Sequence, residues 1–196
     1  QHLTNILLKQ FYLGNYRIHP NIMLCGLAKF GPHPEALRKA QQLFQKMMDL
    51  SRTRKELKPT TISYTHLLEC VVKADTNQGG ALAESILNDM LQRYASGDDD
   101  AKPTVTIYNH VIRALVKTKQ PKRTEEVLAR MYEEDTRGAR VYPNLQTFNN
   151  SLLAWAKSGL GEEAFRRCEQ ILRRLERIHE SRILENVKPD VVSYNT

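Results

Sequence analysis

The sequence is poor in residues that break helices, in cysteine pairs and in long apolar runs. It has nine glycines and eight prolines among 196 residues, below the roughly 12% of average usage, which argues against a turn-rich all-β fold. Its longest uncharged apolar run, Ile22–Ala28, covers seven residues, whereas a membrane-spanning helix needs about 20. The three cysteines lie far apart with no C-x-x-C pair, which argues against a disulfide framework and a zinc ribbon: Cys25, Cys70 and Cys168.

Charged residues are abundant, with 29 Lys and Arg against 22 Asp and Glu, and they leave a net charge of +7. Apolar residues at 41% and charged residues at 26% are typical of a folded, soluble chain. The basic balance favours a polyanionic partner, although charge reports on association and not on fold. The chain opens on Gln1 without a signal-peptide pattern and closes on Thr196 inside a repeated motif, so we expect a piece of a longer protein.

One motif recurs along the chain at intervals of 44, 44, 40 and 46 residues, counted on Asn21, Thr65, Asn109, Asn149 and Asn195. Each clear copy has a proline, a small polar residue, three variable residues, an aromatic residue, and then Asn or Thr. The copies are KPTTISYT from Lys58, KPTVTIYN from Lys102, YPNLQTFN from Tyr142 and KPDVVSYN from Lys188. In a weaker first copy, HPNIMLCGLAKFG, Pro20 takes the place of the aromatic residue.

Every complete unit contains two amphipathic helical patterns. Apolar residues recur three, four, seven and eight positions after the aromatic one, as in Leu67, Leu68, Val71 and Val72, which predicts a first helix. In the fourth unit Ser151, Leu152, Trp155 and Ala156 take these positions. A second pattern follows, as in Ala40, Leu43, Phe44 and Met47, and the cysteines fall within these helices as expected core residues. A single helix pair cannot bury its apolar stripe, so the pairs should stack on one continuous core. The predicted units are 16–60, 61–104, 105–144, 145–190 and the start of a fifth at 191–196, after the end of a preceding helix at 1–15.

The repeated motif resembles that of the pentatricopeptide repeat family. The resemblance rests on PDVVSYNT and its relatives and on EALRKAQQLFQKM in the second helix. It implies an all-α fold, a right-handed α-solenoid of antiparallel helix pairs. The units exceed the family's usual length of about 35 residues, and we expect the surplus before and after the second helix. A tetratricopeptide array would open on W-x2-LG-x2-Y, which is absent here.

Helical geometry places several polar residues on one face outside the core. Successive residues lie about 100° apart around a helix, and we count the angles from the aromatic residue. The Asn or Thr after the aromatic then lies at the edge of the apolar stripe, and the residue two before the aromatic lies near 160°. A lysine nine residues after the aromatic lies near 180°, at Lys29, Lys73, Lys117 and Lys157. A protein that reads one RNA base per repeat needs this combination of amide, flat contact and positive charge. The same residues could also serve only as helix caps and dipole partners.

The resemblance further implies which residues select bases: the one after the aromatic, paired with the one after the next proline. The pairs are Asn21 with Thr60, Thr65 with Thr104, Asn109 with Asn144 and Asn149 with Asp190, and Asn195 would begin a fifth. By the family's rules they read 5′-pyrimidine–purine–C/U–U-3′, the pairs that end in Thr being poorly determined. Bases would be sandwiched by Ile18, Ile62, Thr106, Gln146 and Val192, of which Thr106 and Gln146 depart from the usual aliphatic residue.

No catalytic motif stands out, and we expect neither an enzyme nor a cofactor in this chain. Asp98, Asp99 and Asp100 are expected to be solvated loop residues. Two functions remain open. The chain is either a single-stranded RNA-binding array in mitochondrial or chloroplast RNA processing, stability or translation, or a protein-binding scaffold in an organellar ribonucleoprotein complex. As an RNA reader, this chain alone should bind at micromolar affinity or weaker.

Overall fold

The computed structural model describes residues 11, 19–29, 33–133, 141–181 and 187–195. In these ranges every regular element is helical. The α-helices are α1 (Pro20–Lys29), α2 (Pro34–Leu50), α3 (Thr61–Ala74), α4 (Gly79–Ala95), α5 (Val105–Lys117), α6 (Pro121–Glu133), α7 (Leu145–Ala156), α8 (Glu162–Glu180) and α9 (Val191–Asn195). One-turn 3-10 helices at Lys55–Leu57 and Asp99–Ala101 follow α2 and α4.

The first helices α3, α5, α7 and α9 each begin directly after the recurring proline and small polar residue. The Thr104 hydroxyl accepts a hydrogen bond from the backbone N–H of Ile107 at 3.4 Å, and the Asn144 side chain accepts one from the N–H of Thr147 at 3.0 Å. Asp190 does the same for the N–H of Ser193 at 2.9 Å. These bonds satisfy backbone donors that a helix start leaves without a partner. The predicted capping role of the residue after proline is therefore confirmed at the starts of α5, α7 and α9. At the start of α3 it is not, because the Thr60 hydroxyl is buried without a hydrogen-bond partner among the described residues.

The helices stack as antiparallel pairs in a continuous array. Along one layer, the first helices pack on one another in the order α1, α3, α5, α7 and α9. Each of the second helices α2, α4 and α6 packs on its own first helix and on the first helix of the next unit. Gly80, near the start of α4, allows a close approach to the next unit, because a Cβ atom there would lie 2.5 Å from Thr118 Oγ1 and 2.9 Å from Leu115 of α5. The predicted all-α solenoid of helix pairs is confirmed.

The core follows the predicted stripes, with two local corrections. Tyr64, Tyr108 and Phe148 are fully buried, and burying such a side chain contributes about 1.5–3 kcal/mol. In α7 the expected core residue Ala156 is exposed, because it is the last residue of the helix, and Ala154 is buried instead.

The predicted burial of the cysteines is correct for one of the three. Cys70 is buried, whereas Cys25 and Cys168 are half-buried. A thiol is small enough to lie at the margin of the apolar stripe, so the helical pattern alone does not fix its depth.

After α2 and α4, the surplus residues between the units form defined structure. The α2 and α4 helices each run for 17 residues, and the 3-10 turns after them bury Leu57 and Ala101. Asp98, expected to be solvated, instead accepts from Lys58 Nζ and from Arg93 Nη2, each at 2.5 Å. Burial tends to raise the pKa of Asp98, but the hydrogen bonds from Lys58 and Arg93 outweigh it and lower the pKa. The expectation failed because the sequence alone does not show that Lys58 and Arg93 lie beside the loop.

Candidate nucleic-acid interface

The predicted base-selecting residues meet at the contacts between consecutive units, which we call junctions and number by the earlier unit. At the fourth junction, Asn149 Nδ2 donates to Asp190 Oδ1 at 3.1 Å. Ser193 Oγ lies 2.7 Å from Asn149 Oδ1 and donates to it. Asn149 is half-buried, and its second amide hydrogen has no hydrogen-bond partner among the residues that the structure describes. The pair therefore presents an amide donor beside a carboxylate.

The third junction has the same backbone register and a different hydrogen-bond pattern. Asn109 Nδ2 donates to Asn144 Oδ1 and to Gln146 Oε1, each at 3.2 Å. Asn109 is only 4% exposed, and its Oδ1 is buried without a hydrogen-bond partner. Thr147 Oγ1 lies 2.9 Å from Asn144 Oδ1. Both amide hydrogens of Asn109 are thus used within the protein.

The first junction resembles the fourth in using a serine. Ser63 Oγ donates to Asn21 Oδ1 at 2.6 Å and accepts from the backbone N–H of Thr60 at 3.0 Å. This arrangement brings Asn21 and Thr60, a predicted pair, to the same hydroxyl group.

The second junction differs because Ile107 occupies the position that Ser63 has in α3. The Thr65 hydroxyl donates to the carbonyl oxygen of Thr61 in its own helix at 2.8 Å. Its predicted partner, Thr104, accepts from the N–H of Ile107 instead. The hydroxyls of this predicted pair are therefore both directed to backbone groups.

The predicted sandwiching residues that the structure describes lie on the surface. Ile62 and Val192 are 58% and 57% exposed. Thr106 and Gln146 are also exposed, and Asn195 is exposed in α9. Ile18 lies outside the described residues.

The four predicted phosphate-facing lysines divide into two groups. Lys73 Nζ donates to the carbonyl oxygen of Ala28 in the preceding unit at 2.5 Å, and it also pairs with Glu69. Lys117 pairs with Asp75 of the preceding unit at 3.4 Å. Lys29 and Lys157 are exposed at the ends of α1 and α7. Two of the lysines therefore already bind a carboxylate or a helix-terminal carbonyl in the unbound chain.

The carboxyl group of Asp190 is held in its ionised form. The backbone N–H of Ser193 contributes most to lowering the pKa of Asp190, and the side chains of Ser193 and Asn149 lower it further. Asp190 is therefore an anion and a hydrogen-bond acceptor at neutral pH.

Sequence reasoning missed the residue directly before the aromatic. It is Ser63, Thr147 and Ser193 in three of the four clear copies, and in each case its hydroxyl contacts the base-selecting pair or its cap. The signal was present in the sequence as a hydroxyl residue at one repeat position. It was not interpreted because a residue at that helical angle is expected to lie towards the core, where Ser63 and Ser193 are indeed buried.

Two negative findings hold for the residues that the structure describes. None of their helices is long and apolar enough to cross a membrane. Within the same ranges, no group of three or more His, Cys, Asp and Glu side chains could hold a metal ion.

Comparison with known proteins agrees with the geometry of the repeat. Residues 95–156 match the pentatricopeptide repeat domain, a match that spans the end of the second unit, the whole third unit and the start of the fourth. The predicted resemblance to the pentatricopeptide repeat family is confirmed. A pentatricopeptide repeat-containing protein of Arabidopsis thaliana is similar to this chain at 29% identity, with 71% of this chain aligned. The alignment covers 26% of that relative, so the chain spans about a quarter of its length.

Proposed function

We propose that this chain binds single-stranded RNA along the layer of its first helices, at about one nucleotide per unit. The observation that carries the proposal is the fourth junction, where a half-buried Asn149 amide lies 3.1 Å from the ionised Asp190. The cap bond to the backbone N–H of Ser193 comes from Asp190, whereas the Asn149 side chain, among the described residues, hydrogen-bonds only to the side chains of Asp190 and Ser193. Its amide is held in a fixed orientation at a partly exposed position, as the recognition of a base edge requires.

The chemistry of this pair suits uracil. The Watson–Crick edge of uracil offers a carbonyl acceptor beside an N3–H donor. Asn149 can donate its second amide hydrogen to the carbonyl, and Asp190 can accept from N3–H. Cytosine has an acceptor at N3, which would face the carboxylate without a proton between them. The pair should therefore favour uracil over cytosine, in agreement with the family's rule for Asn with Asp.

Exposed aliphatic residues beside the junctions supply flat surfaces for the bases. Ile62 and Val192 lie two residues before the aromatics of their helices and are more than half exposed. Base stacking on a protein platform is worth about 1–3 kcal/mol for aromatic side chains, and an aliphatic contact should lie near the lower end. Such contacts support affinity without selecting among bases.

The state of the lysines sets the expected salt dependence. Four phosphate contacts would give a slope of log K against log salt of about −2.8, at about −0.7 per contact for single strands. If Lys73 and Lys117 keep their partners Ala28 and Asp75, only two contacts remain and the slope falls to about −1.4. A titration at several salt concentrations measures this number directly.

The biological setting of the proposal follows from the family resemblance. We propose a role in organellar RNA processing, stability or translation, in a mitochondrion or chloroplast, with RNA as the partner and without catalysis by this chain. With about four nucleotides contacted, the chain alone should bind at micromolar affinity or weaker.

The test replaces both residues of one predicted base-selecting pair. The double variant Asn149→Thr with Asp190→Asn should change the preferred base at one nucleotide from U towards A. Single-stranded RNAs randomised at that one position, titrated by fluorescence anisotropy, report the change. An unchanged preference would contradict the proposal, and Thr65→Ser, which keeps a hydroxyl at another junction, serves as the control.

A second candidate, a protein-binding scaffold, is favoured by an apolar groove at the last complete unit. The groove encloses about 490 Å³ and is lined by Leu152, Leu160, Phe165 and Tyr194 among others, with Phe165 72% exposed. Exposed apolar side chains in a groove are typical of protein contacts. If Phe165→Ser abolishes binding of a protein partner and leaves RNA affinity unchanged, the scaffold function is supported.

A further inference from the structure

The third junction contains a side chain that no other described junction has in the same place. Gln146 lies two residues before Phe148, the position that is aliphatic in Ile62 and Val192. Its Oε1 accepts from Asn109 Nδ2 of the preceding unit at 3.2 Å. Because Asn144 Oδ1 takes the other hydrogen, the Asn109 amide has no hydrogen left for a base.

Burial strengthens this conclusion. Asn109 is 4% exposed, whereas Asn149 at the fourth junction is half-buried. The Oδ1 atom of Asn109 is buried without a partner, so its acceptor is also closed to a ligand. A base could reach Asn109 only after Gln146 had moved away. The base would then replace one hydrogen bond by another, with little net gain in free energy.

We infer that Gln146 is a specificity-determining residue that closes the third base position. RNA passes this unit without selection of a base, and the sequence recognised by the chain has a gap of one nucleotide before the uracil selected by Asn149 and Asp190. This inference rests on the proposed RNA-binding function. It overrides the C/U preference that the Asn109 and Asn144 pair alone would imply.

The first test needs no RNA. In the Gln146→Val variant, the Asn109 side-chain amide loses one acceptor and gains access to water. Side-chain ¹H–¹⁵N spectra should therefore show faster hydrogen exchange at Asn109, by about 2- to 13-fold if the lost bond has an ordinary net strength. The Asn149 amide of the same variant is the internal reference and should exchange at its original rate. Equal exchange at Asn109 in both proteins would overturn the inference.

The second test measures base selection at two nucleotides, the one facing the third unit and the one facing the fourth. The unaltered chain should discriminate less than about 2-fold at the first and favour U at the second. Gln146→Val should create a pyrimidine preference of about 2- to 13-fold at the first, because one amide hydrogen of Asn109 becomes available. Thr106→Val is the matched control, since it adds the same aliphatic surface at the preceding unit without freeing an amide.

The outcomes separate this inference from the proposed function. Selection at the third unit by the unaltered chain, or no gain in Gln146→Val, overturns the role of Gln146 while U selection at the fourth unit persists. Loss of selection at both nucleotides in every variant overturns the proposed function itself. An equal gain of selection in Thr106→Val would show that aliphatic surface, and not release of the amide, is responsible, and would also overturn the inference.

Discussion

The third and fourth junctions have the same backbone arrangement but differ in whether the asparagine amide keeps a hydrogen that the protein does not use. In both, an asparagine after a repeat aromatic meets the N-cap of the next first helix, Asn144 in one and Asp190 in the other. At the fourth junction the residue two before the aromatic is Val192, whose aliphatic side chain cannot accept a hydrogen bond, and Asn149 keeps an amide hydrogen. At the third, Gln146 takes that hydrogen.

The difference shows that the hydrogen bonds open to a predicted base-selecting pair depend on its neighbours. Asn109 and Asn149 occupy equivalent positions, and the pair rule alone would assign a selected pyrimidine to both, C or U at the third junction and U at the fourth. The residue two positions before the next aromatic decides whether the amide faces solvent or the protein. Hydrogen-bonding capacity is limited for each amide, so a partner supplied by the protein removes one that RNA could use.

The largest expected effect concerns the aromatic residues of the two junctions. Phe148 is fully buried and Tyr194 is 59% exposed. Phe148→Ala should therefore cost about 3–5 kcal/mol of unfolding free energy, and Tyr194→Ala less than about 1 kcal/mol. Urea unfolding followed by circular dichroism measures both. Similar losses in the two variants would contradict the described packing of α7 and α9.

The asparagines should respond in opposite ways. Asn109→Ala removes two internal hydrogen bonds and should cost about 1–3 kcal/mol of stability, while RNA affinity changes less than about 2-fold. Asn149→Ala should lower affinity for an RNA with U at its position by about 2- to 13-fold, with a smaller loss of stability. Thermal unfolding and RNA titration on the same samples test the contrast. It fails if Asn109→Ala weakens RNA binding as much as Asn149→Ala does.

The serine at the fourth junction should matter less than the asparagine it contacts. Ser193→Ala removes the hydroxyl that donates to Asn149 Oδ1 at 2.7 Å. The amide then has more freedom to rotate, and preference for U over A should fall by about 2- to 5-fold. Ser193→Thr keeps a hydroxyl and should keep most of the preference. Equal losses in the two variants would show that the hydroxyl does not orient Asn149.

The smallest effect is a pH dependence at Asp190, whose pKa lies below its ordinary value of 3.8 mainly because of the Ser193 N–H. A carboxyl with a lowered folded pKa contributes stability that is present above 3.8 and lost as the pH falls through the folded pKa. Asp190→Asn should therefore be slightly less stable than the unaltered chain at pH 7. The gap should close well below pH 3.8 in urea unfolding. A gap that stays constant to low pH would contradict this assignment.

Much of the fold could be predicted from the sequence, because the repeat appears in four clear copies. The period of the apolar residues and the Pro-polar caps at Thr104 and Asn144 depend on local physics, which the sequence displays directly. Asp98 could not be predicted, since its partners Lys58 and Arg93 are brought to it by the packing of α4 and the linkers.

The site was less predictable than the fold for the same reason. The Asn and Thr positions could be identified from spacing, but the state of each side chain depends on contacts between units. Sequence alone marks Gln146 as an unusual residue at a sandwiching position. Only the packing of α5 against α7 shows that it reaches the amide of Asn109.

The most direct test of this account follows the side-chain amides of Asn109 and Asn149 during one titration with a uridine-rich single-stranded RNA. ¹H–¹⁵N spectra resolve the two groups in the same sample. The account predicts that the Asn149 amide shifts progressively as RNA binds while the Asn109 amide keeps its position. Equal shifts of both amides would contradict the closed third junction, and no shift at Asn149 in RNA-bound chain would contradict base reading at the fourth.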